Sequence, residues 1–242
     1  MQNIVEKMTI NYSPNFDLKK RDSSKIKYLI FHYTGMKSDK SAIKRLTDIN
    51  SYVSCHYYID LNGSIIQMVP DSYVAWHAGK SSWGRDKNLN KNSIGIEISN
   101  PGHEHGYRKF RKIQIRNLIK LSKKLMKKYS IKNKNILGHS DIAPLRKKDP
   151  GEKFPWKLMY NKKLSIWHDI DEKKLKRSRG QKCNNLEVHK FINNLKIIGY
   201  KSKKNISMIK AFQRRFRPKL ISGKIDKECL FISISLIKNN KD

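Results

Sequence analysis

Residues 27–34 (KYLIFHYT) are a continuous apolar, β-branched and aromatic run, which predicts a buried strand. Residues 41–50 predict a helix with Ile43, Leu46 and Ile49 on one face. Residues 56–60 and 64–69 read as two extended segments around Leu61-Asn62-Gly63, and Asn-Gly between such segments signals a hairpin. Residues 93–99 (SIGIEIS) form another apolar strand, closed by Asn100-Pro101-Gly102. Over 111–129, Ile115, Leu118, Ile119, Leu125 and Met126 recur at the helical period with lysines opposite, which is the pattern of an amphipathic helix. A short strand at 135–138 precedes a loop, 139–156, rich in proline and charge. This order predicts an α/β domain, a mixed central sheet flanked by helices, over residues 20–168.

The pattern then changes. Residues 169–185 are polar and nearly free of large apolar side chains, so composition predicts a linker. Segments 186–198, 206–216 and 226–237 return to helical spacing, separated by Gly199 and by Arg217-Pro218 through Gly223. They predict a small three-helix domain over 186–240.

Composition narrows the function classes. Of 242 residues, 53 are Lys or Arg and 20 are Asp or Glu, a formal net charge of +33. A field of that sign attracts polyanions: nucleic acid, an anionic membrane face or an acidic glycopeptide. The charge is spread evenly, however, with 20 basic and 6 acidic residues in 171–242 and the remaining +19 in the first 170, so compositional drift explains it equally well. No RNA-binding or zinc-finger spacing accompanies it, so no specific nucleic-acid partner is expected. No apolar run reaches the length of a membrane span. The three cysteines, Cys55, Cys183 and Cys229, form no metal pair or disulfide framework and are read as free thiols. The opening MQNIVEKMTINYSPN carries neither an export signal nor a lipid-acceptor cysteine. As written the chain is expected in the cytoplasm, or in the periplasm and at the outer membrane if an export signal is missing from this start.

Candidate chemistry begins with His32, at the end of the first strand. Alone, a strand-end histidine is more often structural than catalytic. A second strand-end histidine, His139 in Gly138-His139-Ser140-Asp141, and a carboxylate from the adjoining loop, which also contains Asp149-Pro150-Gly151, would complete two imidazoles and one carboxylate. That set, with a position left for water, suits a catalytic zinc rather than a structural one. Alternation in SIGIEIS puts Glu97 and Gly95 opposite Ile94, Ile96 and Ile98, so Glu97 faces either solvent or a site where it acts as general base. Arg146-Lys147-Lys148 is either a solvated basic run or the source of an oxyanion donor.

FHYTG around His32, SCHYYID at 54–60, AWHAG at 75–79, SIGIEISNPG at 93–102 and GHSDIAPLRKKDPGEKFPW at 138–156 together resemble the zinc-dependent N-acetylmuramoyl-L-alanine amidases. That superfamily includes the phage T7-type lysozymes and the peptidoglycan recognition proteins. Ala211-Phe212-Gln213, Phe216-Arg217-Pro218, Gly223, Asp226 and Glu228 resemble the peptidoglycan-binding-like module of its two-domain bacterial members. The resemblance implies one zinc ion held by His32, His139 and Asp149, with Glu97 the catalytic glutamate and Lys147, rather than Lys148, the catalytic lysine. It implies that Trp76 and His77 belong to a substrate groove, and that His56 is structural. The implied partners are peptidoglycan or muropeptides, cleaved between N-acetylmuramic acid, intact or 1,6-anhydro, and L-alanine in cell-wall turnover. A monomer is expected. The rivals are a non-catalytic peptidoglycan-recognition protein, disfavoured because every implied ligand is present, and a basic nucleic-acid-binding protein, which rests on charge alone.

Overall fold

The computed structural model describes residues 8–239. Part of the amino-terminal run behind the localisation expectation, and residue 240 of the expected helical domain, lie outside them. The chain forms two compact units, one running to Gly79 and including Asn88–Gly138, the other comprising Lys80–Lys87 and the chain from His139 onward.

The first unit is built on a six-stranded mixed sheet. Its strands are β1 (Thr9–Ile10), β3 (Tyr28–Tyr33), β4 (Tyr57–Ile59), β5 (Ile65–Gln67), β9 (Ser93–Ile98) and β10 (Ile136–Gly138), in the order β1-β5-β4-β9-β3-β10. All neighbours are parallel except β4 and β5, the hairpin announced by Asn62-Gly63. A two-stranded ribbon pairs β2 (Phe16–Asp17) with β6 (Val74–Ala75). The central strands β3 and β9 are buried almost throughout, as their unbroken apolar character requires.

Helix α1 (Asp39–Thr47) starts two residues earlier than its apolar spacing predicts, because Ser38 caps it by accepting from the Ser41 amide at 3.2 Å. Its end is also earlier: Ile49 falls in a short 3₁₀ turn and is exposed, whereas Ala42 and Leu46 pack with Cys55, Tyr58 and Met68. Helix α2 (Lys112–Tyr129) buries Ile115, Leu118, Leu121 and Leu125, and Asn117 Nδ2 donates to the Gly63 carbonyl at 2.8 Å.

In the second unit, the hairpin β7 (Ser82–Trp83) and β8 (Asp86–Lys87) precedes α3 (His139–Ile142), α4 (Trp156–Asn161), α5 (Glu172–Ser178), α6 (Asn185–Ile198), α7 (Asn205–Phe216) and α8 (Lys227–Lys238). The last three are the expected helices. Gly199 ends α6 at φ +130, and a Cβ there would lie 2.4 Å from the Trp83 ring, so glycine permits this close approach.

Residues 169–185, expected as a linker, instead contain α5. Asp171 caps it by accepting from the Lys173 amide at 2.9 Å, Leu175 is buried, and Arg179 grips Glu228 of α8 with Nε–Oε2 at 2.7 Å. The Gly180 amide donates to Asp226 Oδ2 at 3.1 Å and the Lys227 amide to the Gln181 carbonyl at 3.0 Å, so polar bonds hold a segment whose composition is that of a linker. All three cysteines are free thiols.

Candidate metal centre and active site

The register of the sheet aligns the candidate residues. In the parallel pair β3–β9, His32 lies opposite Glu97, and in β3–β10, Phe31 lies opposite Gly138. The residue after Gly138 is His139, so neighbouring strands deliver His32, Glu97 and His139 to the same end of the sheet. Residues opposite one another share a face, which puts Glu97 on the same face of the sheet as His32.

The loop after β10 folds back on its own start. The Ser140 amide donates to the Asp149 carbonyl at 2.8 Å, and His139 Nδ1 lies 3.0 Å from Asp149 Oδ2. His32, His139 and Asp149 are buried, and each offers one ligand atom, all within 4.8 Å of one another. The donor set fits a divalent metal: two imidazoles and a carboxylate are the ligand types of catalytic zinc. Another carboxylate of this loop, Asp141, is occupied elsewhere. It accepts from Tyr200 Oη at 2.7 Å and pairs with Arg215 at 2.6 Å, which ties the ligand-bearing loop to the carboxyl-terminal helices.

Lys147 is half-buried two residues before Asp149, its amide donating to the Ala143 carbonyl at 3.0 Å, and Lys148 is exposed. Arg146, which sequence reading left in the basic run, places Nη2 3.3 Å from His139 Nε2 and donates to the Lys80 carbonyl. Burial lowers its pKa and the charge of Asp149 opposes that shift.

Trp76 is half-buried, its indole donating to Asp17 Oδ1 at 2.7 Å. His77, expected beside it in a groove, is 5% exposed. Its Nδ1 lies 3.1 Å from His32 Nε2 and its Nε2 3.1 Å from Ser93 Oγ. His56 is structural, as expected: Nδ1 accepts from the Gly95 amide at 3.0 Å, and burial, followed by the charge of Arg21, lowers its pKa to about 3. Sequence reading missed an aromatic cluster past the same strand ends, where Tyr33 Oη lies 2.8 Å from His103 Nδ1 and Tyr107 stacks on His103 at 4.4 Å. Its only sequence signal was the density of His and Tyr after Asn100-Pro101-Gly102.

The sequence profile of N-acetylmuramoyl-L-alanine amidases matches residues 22–152, a span containing every one of these candidates. The chain belongs to this amidase family. It is 34% identical over 232 residues to the N-acetylmuramoyl-L-alanine amidase AmiD of Escherichia coli, covering 88% of this chain and 83% of that one. It is 34% identical over 163 residues to the 1,6-anhydro-N-acetylmuramyl-L-alanine amidase AmpD of Haemophilus influenzae, covering 60% of this chain and 85% of that one. Among solved structures, the AmiD complex with anhydro-N-acetylmuramic acid-L-Ala-D-γ-Glu-L-Lys superposes with a TM-score of 0.78 at 33% identity, covering 93% and 92% of the two chains. AmpDh3 of Pseudomonas aeruginosa in complex with anhydromuramic pentapeptide gives 0.77 at 28% identity and 99% of each. Both comparisons run past the amidase profile into the carboxyl-terminal helices of this chain. Among its described residues no helix is long and apolar enough to cross a membrane.

Proposed function

We propose that this amidase is zinc-dependent, holding the ion with His32, His139 and Asp149, and that it hydrolyses the amide between N-acetylmuramic acid or its 1,6-anhydro form and L-alanine in muropeptides or peptidoglycan. The observation that carries the reading is the delivery of His32, Glu97 and His139 to one end of adjacent parallel strands, with Asp149 folded back to 3.0 Å from His139. The anhydromuramyl peptides in the structures of the relatives support the substrate class. Zinc, when bound, supplies Lewis-acid polarisation of a carbonyl and an acidified water.

The chain's own residues do the rest. Glu97 accepts the proton of the attacking water at a carboxylate oxygen and returns it to the leaving nitrogen of L-alanine, which must depart as an amine. Lys147 donates from Nζ to the oxyanion that develops on the lactyl carbonyl oxygen. Trp76 lines the substrate groove.

Glu97→Ala is expected to retain one zinc per chain and to lose about 10²–10⁴-fold in release of L-Ala peptides, the usual contribution of a general base. His32→Ala is expected to lose both metal and activity. Metal analysis beside mass-resolved digestion of anhydromuropeptides and intact sacculi checks both, and Glu97→Ala working at the native rate overturns the assignment.

A further inference from the structure

We infer that His77 is a positioning residue for the metal ligand His32, fixing that ring so that Nδ1 is the nitrogen presented to the metal. The inference rests on the zinc-amidase reading and adds to it a residue that the family resemblance placed in the groove.

The hydrogen-bond directions are set from the far end of the chain of contacts. Ser93 has one hydroxyl proton, which it donates to the Leu89 carbonyl. Toward His77 Nε2, 3.1 Å away, Ser93 Oγ is therefore an acceptor, and His77 carries its proton on Nε2. The lone pair of neutral His77 is then on Nδ1, which faces His32 Nε2 at 3.1 Å, so His32 donates from Nε2. A neutral His32 protonated on Nε2 has its lone pair on Nδ1, the form that coordinates a metal. With the opposite polarity the proton of neutral His32 would sit on Nδ1, where it blocks coordination.

The surroundings hold His77 in this role. The rings of His32 and His77 meet edge to face at 5.2 Å and 84°, so neither can turn without losing the bond. The His77 and Ala78 amides donate to Asn90 Oδ1 at 3.2 and 2.6 Å, which fixes the main chain under the ring. The ring lies against Gly95, where any Cβ would come within 2.3–2.6 Å of its atoms. A residue serving mainly as a groove wall would need neither the glycine nor bonds at both ring nitrogens.

The test measures zinc rather than turnover. The metal is stripped from native protein and from His77→Leu and His77→Gln, and zinc is returned in competition with a chromophoric chelator. His77→Leu is expected to bind zinc about 10–100-fold more weakly, the usual cost of losing such a partner. His77→Gln, whose amide accepts from His32 and donates to Ser93, is expected to recover most of that affinity. A merely structural role would lower thermal stability in the variants without this rescue. Native protein supplies a second readout that no misfolded variant can obscure: nitrogen-15 shifts of zinc-free protein should show His32 protonated on Nε2. A proton on Nδ1 overturns the inference, as does unchanged zinc affinity in His77→Leu while native protein binds zinc. Failure of native protein to take up zinc would remove the metal centre itself and this role with it, an outcome distinct from the other two.

Discussion

A side chain at position 95 would strike the imidazole that braces His32. Gly95→Ala should cost about 1–3 kcal/mol by overpacking, and zinc affinity should fall with it as the His77 ring is displaced. Parallel denaturant and zinc titrations check this, and a variant as stable and as tightly zinc-binding as native protein would show that the strand yields instead. His56, bonded to the same glycine, makes a prediction in pH. Its pKa is about 3 in the folded protein against 6.5 for an unperturbed imidazole, because it is buried neutral. The unfolded chain therefore takes up a proton below pH 6.5 that the folded chain refuses. This group's share of stability is complete above pH 6.5 and is lost as the pH falls toward 3, at ~1.4 kcal/mol per unit. His56→Asn, which keeps an acceptor for the Gly95 amide, should flatten the decline of unfolding free energy over that window. At this scale the sequence was legible where one rule decides: alternation placed Glu97 and Gly95 on a common face. It named His77 only as a groove residue and was silent on its bonds, since its two ring nitrogens face partners from β3 and β9, a placement no local pattern encodes.

Elements with a sustained period were readable, and those without one were not. Strands β3 and β9 and helices α2, α6, α7 and α8 all lie within two residues of their expected bounds, because each is long enough for burial to impose a repeat. The strands β1, β2, β6, β7 and β8 have two residues apiece, too few to show any period. Helix α5 was hidden by its charge, since the ties of its segment to α8 include the Arg179–Glu228 pair and Lys174 over the Phe231 ring rather than an apolar face. A similar tie joins α7 to α3, where Arg215 and Asp141 pair at 2.6 Å with 2% and 1% side-chain exposure. Removing only one partner strands a charge in a dry environment, so Arg215→Met should cost about 3–5 kcal/mol. Adding Asp141→Asn removes the stranded charge and should restore part of that loss. A double-mutant cycle by denaturation measures it, and simple additivity of the two costs would show that the pair is not coupled. Because Asp141 lies between His139 and Asp149, hydrogen exchange in Arg215→Met should also rise across 139–149.

Across the whole molecule the open question was whether +33 charges do any work. Several of the 20 acidic residues are engaged internally: Asp141 and Glu228 with arginines, and Asp71 with Tyr57, Tyr129 and Lys128. Those carboxylates are bound in the fold, while most lysines extend into solvent, so the outward field is positive whatever its origin. A muropeptide stem carries free carboxylates, and a field of this sign raises the rate at which such a substrate meets the protein. Only the encounter should feel it. On stems with free carboxylates, kcat/KM should fall roughly tenfold as ionic strength rises from about 0.01 to 1 M and the screening length contracts from ~30 to ~3 Å. On the same stems with their carboxylates amidated, kcat/KM should hardly change, and kcat should stay constant for both. An identical salt response for the two substrates would mean that the lysines record a compositional drift and contribute nothing to capture. Nucleic-acid binding, if it occurs, should show the same salt sensitivity yet survive a chelator that abolishes hydrolysis, so metal removal separates charge acting in catalysis from charge acting alone.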